Sequence, residues 1–288
     1  MTTCVSIDGK RSDGASATVP VFDRGFLYGD SVFEALRTSG GNPVDVVRHL
    51  ERLARSAAAL RFASTDPGLI AAELAAALEA AGNPDSYVRL MLTRGDGPIG
   101  LDLAKAGAPR RVIIVQPLHL PAPEVYARGL HAAVVGIERV SARALDPSVK
   151  SGNYLNNILA LAEARARGAD EAILCNPAGR VAEGSASNVF LVRAGRVRTP
   201  GEAAGLLAGI TRRRVIELCA DAGVPVDESD VTPDELRGAD EAFVTSSIRG
   251  VVPVTTVDGV ALADGSVGPI TGEVLRRYDA FLAEVAIL

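Results

Sequence analysis

The chain contains 288 residues, of which 48% are hydrophobic and 23% are charged, and its formal net charge is -5. This composition is typical of a globular protein, excludes a disordered or collagen-like chain, and includes no apolar run as long as a membrane span. The acidic balance, without a basic stripe interleaved with aromatic residues, argues against a nucleic-acid partner.

Hydrophobic periodicity predicts a small domain of mixed α and β structure over residues 1–117. A turn signal at Asp8-Gly9-Lys10 follows the first strand and indicates a hairpin. Apolar residues spaced three and four apart predict two helices, and runs of strand-forming residues predict further strands. The predicted elements are strand 4–7, helices 48–62 and 67–81, and strands 87–93 and 111–116.

Three prolines in the segment 117–124 predict a linker, for which we expect residues 118–127. Residues 128–288 predict a larger domain with strands 130–137, 172–175, 189–192, 242–245 and 251–257 and helices 153–167, 211–222 and 267–286. Strands and helices do not alternate as in a doubly wound sheet, and Gly-x-Gly-x-x-Gly is absent. We therefore expect a mixed α+β fold in two domains, without a dinucleotide site.

The three cysteines and three histidines predict neither disulfides nor a metal site. Cys4, Cys175 and Cys219 are far apart and form no Cys-x-x-Cys pair, which favours buried thiols in a reducing compartment. The histidines lack the spacing of zinc ligands. We expect a cytoplasmic protein with no metal and no membrane partner.

Only three of the 30 basic residues are lysines. Arginine stays protonated, whereas a desolvated lysine can act as an amine nucleophile, so each lysine is a candidate for chemistry. Lys10 lies in a polar turn and Lys105 in a loop rich in glycine and alanine, and both positions predict solvent exposure. Lys150 on its own would also be interpreted as a surface residue.

The neighbours of Lys150 favour a functional role. Gly152 would allow a ligand to approach closely, Asn153 would cap the following helix, and Tyr154 places a phenol nearby. These residue types fit a lysine that holds a small molecule.

Three further segments carry polar groups that fit one kind of ligand. Glu183 stands among small residues before a predicted strand, although an exposed acid in a turn fits the same spacing. Residues 207–212 predict either a loop capped into a helix by Thr211 or a phosphate site at the free N–H groups of that helix. Ser246 and Ser247 add hydroxyls at a strand end. An amine, an acid and an anion site together favour a phosphorylated pyridine aldehyde as cofactor.

Six motifs follow one another along the chain: residues 22–37 (FDRGFLYGDSVFEALR), 48–53 (RHLERL), the segment around Lys150, residues 183–190 (EGSASNVF), 209–212 (GITR) and 245–247 (TSS). In this order they resemble the class IV, or fold-type IV, pyridoxal-phosphate aminotransferases over essentially the whole length. The resemblance implies a smaller N-terminal α/β domain and a larger C-terminal domain with a mixed, barrel-like sheet. It also implies pyridoxal 5'-phosphate as cofactor and a homodimer.

The resemblance further implies the roles of cofactor-binding residues. Lys150 would bind the cofactor covalently and then move the α-proton of the substrate. Glu183 would face the pyridine nitrogen and favour its protonated form, and Tyr154 would bind the ring oxygen. The phosphate would be held by Arg52, the amides of Ile210 and Thr211, and the Ser247 hydroxyl, and Ser246 would also bind the cofactor.

Substrate-binding residues are implied in the same way. Tyr87 and Arg89 are similar to the Tyr-x-Arg strand of branched-chain aminotransferases. An arginine in an apolar pocket would bind the distal carboxylate of glutamate, while apolar walls accept branched side chains. The implied set is Tyr28, Phe33, Arg37, Tyr87, Arg89 and Ile248. Arg249 is interpreted either as a further carboxylate ligand or as an exposed residue.

We therefore predict a transaminase that moves the amino group of a hydrophobic, branched-chain L-amino acid to a 2-oxo acid such as 2-oxoglutarate. The first alternative is a transaminase of the same fold for D-amino acids or (R)-amines, because residues 93–95 (TRG) are similar to D-amino-acid enzymes. The second is aminodeoxychorismate lyase, which shares that motif. A third, a ligand-binding protein without catalysis, is disfavoured because Lys150, Tyr154 and Glu183 occur together.

Overall fold

A six-stranded sheet forms where apolar residues alternate in the first part of the chain. Its strands are β1 (Cys4–Ile7), β2 (Lys10–Ser12), β3 (Ser31–Ser39), β4 (Asn42–Pro43), β5 (Ser86–Thr93) and β6 (Arg110–Pro117). They pair in the order β2-β1-β6-β5-β3-β4, and every pair is antiparallel.

The structure is a computed structural model that describes residues 2–63 and 66–287. These residues form two compact units, and the first comprises the described residues 2–63, 66–119, 149–153 and 282–287.

Three helices accompany this sheet: α1 (Arg24–Tyr28), α2 (Val46–Ala59) and α3 (Pro67–Ala81). Asp66 caps α3 by accepting a hydrogen bond from the N–H of Gly68, and Gly82 ends the helix with a φ of 59°. The apolar sides of α2 and α3 pack on one face of the sheet, around buried residues such as Leu53, Leu74 and Leu90. That burial gives the unit its hydrophobic core.

A nine-stranded mixed sheet organises the second unit, which comprises Leu120–Ser148 and Tyr154–Phe281. Its strands are β7 (Leu130–Val134), β8 (Glu171–Cys175), β9 (Val181–Gly184), β10 (Asn188–Arg193), β11 (Arg196–Thr199), β12 (Val226–Glu228), β13 (Glu241–Ser246), β14 (Gly250–Val257) and β15 (Val260–Ala261). The order is β12-β11-β10-β13-β14-β7-β8-β9, with β15 also on β14. The pairs β11–β12, β14–β7 and β7–β8 are parallel, and the others are antiparallel.

The remaining helices are α4 (Pro123–Arg128), α5 (Leu155–Ala166), α6 (Ile210–Asp221), α7 (Pro233–Arg237) and α8 (Pro269–Ala286). Phe190 and Phe243 lie opposite each other on β10 and β13, and their rings stack at 4.7 Å between centroids. A second apolar cluster lies where Ala160 and Ala164 of α5 meet β7 and β8. In the part of the chain that the structure describes, no helix is both long and apolar enough to cross a membrane.

The predicted mixed α and β fold is confirmed, and most elements lie where the sequence places them. Several boundaries were wrong. The first long helix begins at Val46 and ends at Ala59, because Leu60 already leaves helical geometry. Strand β7 ends at Val134 rather than at residue 137, and helix α4 begins inside the segment predicted as a linker. The domain limits at residues 117 and 128 stay a prediction.

Candidate active site

One face of the antiparallel sheet collects four of the residues predicted to bind substrate. Arg37 on β3 lies opposite Tyr87 on β5. Phe33 precedes Arg37 by four positions, and Arg89 follows Tyr87 by two. Because side chains alternate along a strand, all four share one face, while Leu36 and Val88 of the same strands point into the core under α2 and α3. The structure therefore brings these four residues together.

Lys150 lies beside the same face. The backbone N–H of Phe33 donates to the carbonyl of Lys150 at 2.9 Å, and the N–H of Lys150 donates to Ser56 Oγ at 3.2 Å. The Nζ atom of Lys150 lies 4.6 Å from the centroid of the Phe33 ring. The half-buried amine thus stands next to the predicted pocket residues, whereas Lys10 and Lys105 are exposed as expected.

Two of the three neighbours of Lys150, Gly152 and Asn153, have roles that differ from the prediction. A side chain at Gly152 would overlap Ser31 Oγ, so this glycine lets β3 approach rather than a ligand. Asn153 does not cap α5, because the N-cap position is Tyr154 and no side chain bonds there. The Nδ2 of Asn153 instead donates to Ser151 Oγ at 3.4 Å.

Two arginines on this face have no acidic partner among the described residues of their unit. Arg37 is buried, with 8% of its surface exposed, and its Nε donates to the carbonyl of Thr38 at 3.3 Å. The guanidinium of Arg89 lies 3.8 Å from the centroid of the Phe33 ring. A buried cation needs a counter-charge, so this face is suited to an anionic ligand.

Arg52, the predicted phosphate ligand, is held by a buried acid that the sequence did not point to. Its Nε and Nη2 donate to the two oxygens of Glu34, each at 2.7 Å. The Nδ1 of His49 lies 2.7 Å from Glu34 Oε2. Glu34 lies on the core side of β3, opposite the face that carries Phe33. Glu34 therefore fixes the orientation of the Arg52 guanidinium.

The protonation states of Glu34 and His49 follow from their burial and from the neighbouring Arg52. Burial alone raises the pKa of Glu34, but the charge and hydrogen bonds of Arg52 and the hydrogen bond of His49 outweigh it and lower that pKa to about 2. Burial lowers the pKa of His49. At neutral pH Glu34 is ionised, and a neutral His49 donates its Nδ1–H to it.

Tyr28, the remaining predicted substrate residue of this unit, ends α1. Its hydroxyl accepts a hydrogen bond from the N–H of Gly100 at 2.9 Å, and the Arg24 guanidinium lies 5.2 Å from its ring centroid. Asp23 caps α1 and accepts a second hydrogen bond from Thr93 at 2.8 Å. The start of the 22–37 motif is therefore largely structural.

Glu183 lies on the buried strand β9 of the second unit. Its Oε1 accepts a hydrogen bond from Arg139 Nε at 2.7 Å, and its Oε2 accepts one from the N–H of Leu207 at 2.9 Å. The interpretation of Glu183 as an exposed acid is excluded, since only 6% of its surface is exposed.

The N-terminus of α6 presents backbone N–H groups without a side-chain cap. Its N-cap is Gly209, so the expectation that Thr211 caps the helix was wrong. Nδ2 of Asn188 donates to the carbonyl of Leu207 at 2.9 Å, and a side chain at Gly209 would overlap Asn188 Oδ1. Ile210 and Thr211 supply the first N–H groups of a twelve-residue helix, a favourable place for an anion.

Ser246 ends β13, and Ser247, Ile248 and Arg249 form the turn to β14. Arg249 is neither an exposed residue nor unpaired, because its Nη2 lies 2.6 Å from Oε2 of the buried Glu171. The expectation of a solvent-exposed arginine was wrong.

Glu34 and Arg139 bond to the predicted site residues Arg52 and Glu183 but were not predicted themselves. His49, Asn188 and Glu171, which bond to Glu34, Leu207 and Arg249, were not predicted either. Glu34 and Asn188 lie within the motifs of residues 22–37 and 183–190. A charged residue inside an otherwise apolar strand is a sequence signal that could have pointed to Glu34. Arg139 and Glu171 lie 44 and 78 positions from Glu183 and Arg249. Sequence spacing gives no signal for such pairs.

Comparison with known proteins identifies the family. The family model of amino-transferase class IV matches residues 31–257. This chain belongs to the class IV aminotransferases. It is 37% identical over 276 residues to a Methanocaldococcus jannaschii protein with the provisional name branched-chain-amino-acid aminotransferase, covering 95% of this chain and 94% of that one. It is 31% identical to the D-alanine aminotransferase of Bacillus licheniformis, covering 98% of each chain.

A solved structure extends the likeness to the fold. The branched-chain amino acid aminotransferase of Thermobaculum terrenum, crystallised in its PLP-bound holo form, has a TM-score of 0.88 and 27% identity. The match covers 97% of this chain and 93% of that one. Class IV aminotransferases use pyridoxal phosphate, and this chain is a member of that class.

The residues present fit such a cofactor. In the first unit, Lys150 carries a primary amine of the kind that an aldehyde requires. In the second unit, Glu183 carries a carboxylate suited to a ring nitrogen, and the N-terminus of α6 carries backbone donors suited to a phosphate. The Oγ1 of Thr245, next to Ser246, is buried and has no hydrogen-bond partner in the described part of the chain. Buried hydroxyls are normally bonded, so a ligand group near Thr245 is expected.

Proposed function

We propose that this class IV aminotransferase transfers the amino group of a hydrophobic, branched-chain L-amino acid to a 2-oxo acid such as 2-oxoglutarate. The observation that carries the substrate proposal is the buried Arg37, which shares a sheet face with Phe33, Tyr87 and Arg89 and has no acidic partner among the described residues of its unit. A cation set among aromatic rings can bind a carboxylate and still accept apolar side chains.

The proposed roles follow the chemistry of each group. When bound, pyridoxal phosphate withdraws electrons from the substrate's α-carbon. Nζ of Lys150 would anchor the cofactor through its aldehyde. Once the substrate amine replaces Nζ there, the freed lysine amine would take the proton from the substrate α-carbon as a general base and later give it back as a general acid. Glu183 keeps the ring nitrogen protonated and Tyr154 binds the ring oxygen. The proposed phosphate ligands are Arg52, Ile210, Thr211 and Ser247, and Ser246 is proposed as a further cofactor-binding residue.

Tyr28, Phe33, Arg37, Tyr87, Arg89 and Ile248 are proposed to bind the substrate. Arg37 and Arg89 would orient the distal carboxylate of glutamate, and the aromatic rings would contact the side chains of leucine, isoleucine or valine. One face would then accept both members of the substrate pair in turn.

A D-amino-acid transaminase is the second candidate, because the D-alanine aminotransferase of B. licheniformis matches 98% of this chain. The two candidates separate in a half-reaction. The pyridoxal-phosphate form is mixed separately with L-leucine, D-alanine and (R)-1-phenylethylamine, and loss of its visible absorption band is followed.

Bleaching by L-leucine alone supports the proposed substrate. Bleaching by D-alanine or the amine, with no reaction of L-leucine, overturns it. Release of pyruvate from aminodeoxychorismate without an amino acceptor would identify a lyase instead. A preparation that takes up no cofactor would overturn the proposed cofactor residues.

We also propose a homodimer in the cytoplasm. Large apolar side chains are exposed in each unit, including Phe26 at 72% and, on α5, Leu155, Ile158 and Leu159. Exposed apolar groups of this kind favour a protein partner. All three cysteines are free thiols, which agrees with a reducing compartment.

A further inference from the structure

A buried carboxylate in the second unit joins two segments that the proposed function assigns to cofactor and substrate. Glu171, at the start of β8, is 2% exposed. Its Oε1 accepts hydrogen bonds from the N–H of Ser185 at 3.1 Å and from Ser185 Oγ at 2.5 Å. Its Oε2 accepts one from Ser187 Oγ at 3.3 Å and pairs with Arg249 Nη2 at 2.6 Å.

The two serines belong to the segment that carries Glu183. Ser185 follows Glu183 by two positions, and the N–H of Gly184 donates to the carbonyl of Ser187 at 2.7 Å, which closes a tight turn. The serines therefore hold the end of β9 and the start of β10 against Glu171. Movement of Glu171 would be transmitted directly to the backbone beside Glu183.

Arg249 belongs to the turn that carries Ser246, Ser247 and Ile248. Its N–H donates to Ser246 Oγ at 3.3 Å, and its carbonyl accepts a hydrogen bond from the Tyr126 hydroxyl at 3.0 Å. The next residue, Gly250, has a φ of 70°, and a side chain there would contact the Tyr278 ring at 2.6 Å. The backbone of Arg249 is thus fixed on both sides, and its side chain reaches Glu171.

The ion pair between Arg249 and Glu171 limits the roles that Arg249 can have. Arg249 already has a carboxylate partner, and Glu171 would be left as a buried, uncompensated charge if the arginine turned toward a substrate. A guanidinium bound in this way is poorly placed to be a substrate ligand, and well placed to hold a turn.

We propose that Glu171 and Arg249 are positioning residues that fix the Ser246–Ile248 turn and the Glu183 segment relative to each other. This inference rests on the proposed function, in which those segments bind the cofactor and the substrate. Arg249 acts through the turn and does not contact the substrate carboxylate.

The test compares Glu171→Gln, Arg249→Gln and the double variant. The measured quantities are the Kd of pyridoxal phosphate for the cofactor-free protein, followed by absorbance, and the KM and kcat for the amino acid that the half-reaction screen identifies. Each single variant is expected to raise the Kd and the KM by about tenfold, since each loses one charge-assisted hydrogen bond. The double variant is expected to be no worse than either single variant, because both remove the same contact.

Asp258→Asn is the matched control. Asp258 lies in the same unit and pairs with Arg167 at 2.6 Å and Arg237 at 2.8 Å, away from the predicted site segments. This variant is expected to lower the Tm but to leave the Kd and KM unchanged. Arg249→Lys keeps a cation and is expected to recover part of the loss.

The outcomes separate the inference from the function on which it rests. If Arg249→Gln raises the KM while Glu171→Gln leaves it unchanged or lowers it, Arg249 binds substrate directly and the inference is overturned. The same holds if both variants behave like Asp258→Asn. If Glu171→Gln does not fold, the Kd and KM of Arg249→Gln are compared with those of Arg249→Lys and Asp258→Asn. A loss in Arg249→Gln that Arg249→Lys partly recovers and Asp258→Asn does not show supports the inference, and the absence of such a loss overturns it. A wild-type protein that neither binds pyridoxal phosphate nor transfers an amino group would overturn the proposed function itself.

Discussion

Lys150 differs from the other two lysines in its surroundings rather than in its chemistry. Its amine is half-buried beside the Phe33 ring, and its backbone carbonyl and N–H are hydrogen-bonded to the N–H of Phe33 and to Ser56 Oγ. Replacement by alanine is expected to lower turnover by at least about 10²-fold, because a positioned general base contributes that much or more. Lys150→Arg is expected to be equally inactive, since a guanidinium stays protonated. Single-turnover absorbance measurements check both variants.

Lys105→Ala provides the control, because Lys105 is exposed in a loop. It should retain wild-type turnover. Substantial activity in Lys150→Ala would remove Lys150 from the proposed mechanism.

Glu34 gives the protein an acid-sensitive component of stability. Its pKa in the folded protein is about 2, below the ordinary value of 4.5. The ionised form is therefore stabilised by folding, and this contribution is complete above pH 4.5 and lost as the pH falls toward 2. This pKa shift corresponds to a contribution of about 3 kcal/mol to the free energy of unfolding. The free energy of unfolding, measured with urea at several pH values, should fall over that window.

Glu34→Gln should make that pH dependence shallower and should destabilise the protein by about 3 kcal/mol at pH 7, because it leaves Arg52 without its buried acid. Glu79→Gln, on the exposed side of α3, is the matched control and should follow the wild-type profile. Identical profiles for Glu34→Gln and wild type would show that the Glu34–Arg52 pair does not set the acid stability.

At the level of elements, local patterns predicted most of the helices and strands but not their partners. Helix α3 begins and ends where Pro67 and Gly82 indicate, because capping is a local interaction. Asn153 is a good N-cap residue by type, yet its side chain bonds to Ser151 and the helix begins two residues later. Pairing between distant strands decided the contacts of Arg139 and Arg249, and no local pattern records such pairs.

The N-terminus of α6 offers a test at the same scale. In Gly209→Ala the new methyl group would overlap Asn188 Oδ1, so Asn188 must move and its hydrogen bond to the carbonyl of Leu207 weakens. The N–H of Leu207 bonds to Glu183, so the change reaches the proposed ring-nitrogen ligand. We expect the Kd of pyridoxal phosphate to rise by about tenfold, equivalent to the loss of one hydrogen bond.

Gly272→Ala is the matched control for this prediction. Gly272 lies inside α8, and apart from its chain neighbours and the backbone of its own helix no atom of the described residues lies within 4 Å of the position where a side chain would begin. Alanine there should stabilise the helix by about 0.5–1 kcal/mol and leave the Kd unchanged. Equal cofactor affinity in Gly209→Ala and wild type would mean that the Asn188–Leu207 hydrogen bond does not support the proposed ring-nitrogen ligand Glu183.

At the scale of the whole molecule, α5 exposes an apolar stripe that its own unit does not cover. Leu155, Ile158 and Leu159 are spaced three and four residues apart and are 67%, 60% and 49% exposed, while Ala160 and Ala164 face the sheet. This spacing places them on one side of the helix, where together they form a patch rather than scattered apolar residues. A second copy of the chain is the partner that we propose for this patch.

Ile158→Asp should therefore convert the proposed dimer to a monomer, because a carboxylate in an apolar interface loses its hydration without gaining a partner. Light scattering coupled to size-exclusion chromatography at several concentrations measures the mass, and Val260→Asp serves as the control. Val260 is 54% exposed on β15 but lies outside the stripe, so its substitution should leave the mass unchanged. A wild-type protein that is monomeric at all concentrations would contradict the dimer. A dimeric Ile158→Asp variant would instead place the interface elsewhere, and exposed Phe26 of the first unit would be the next residue to substitute.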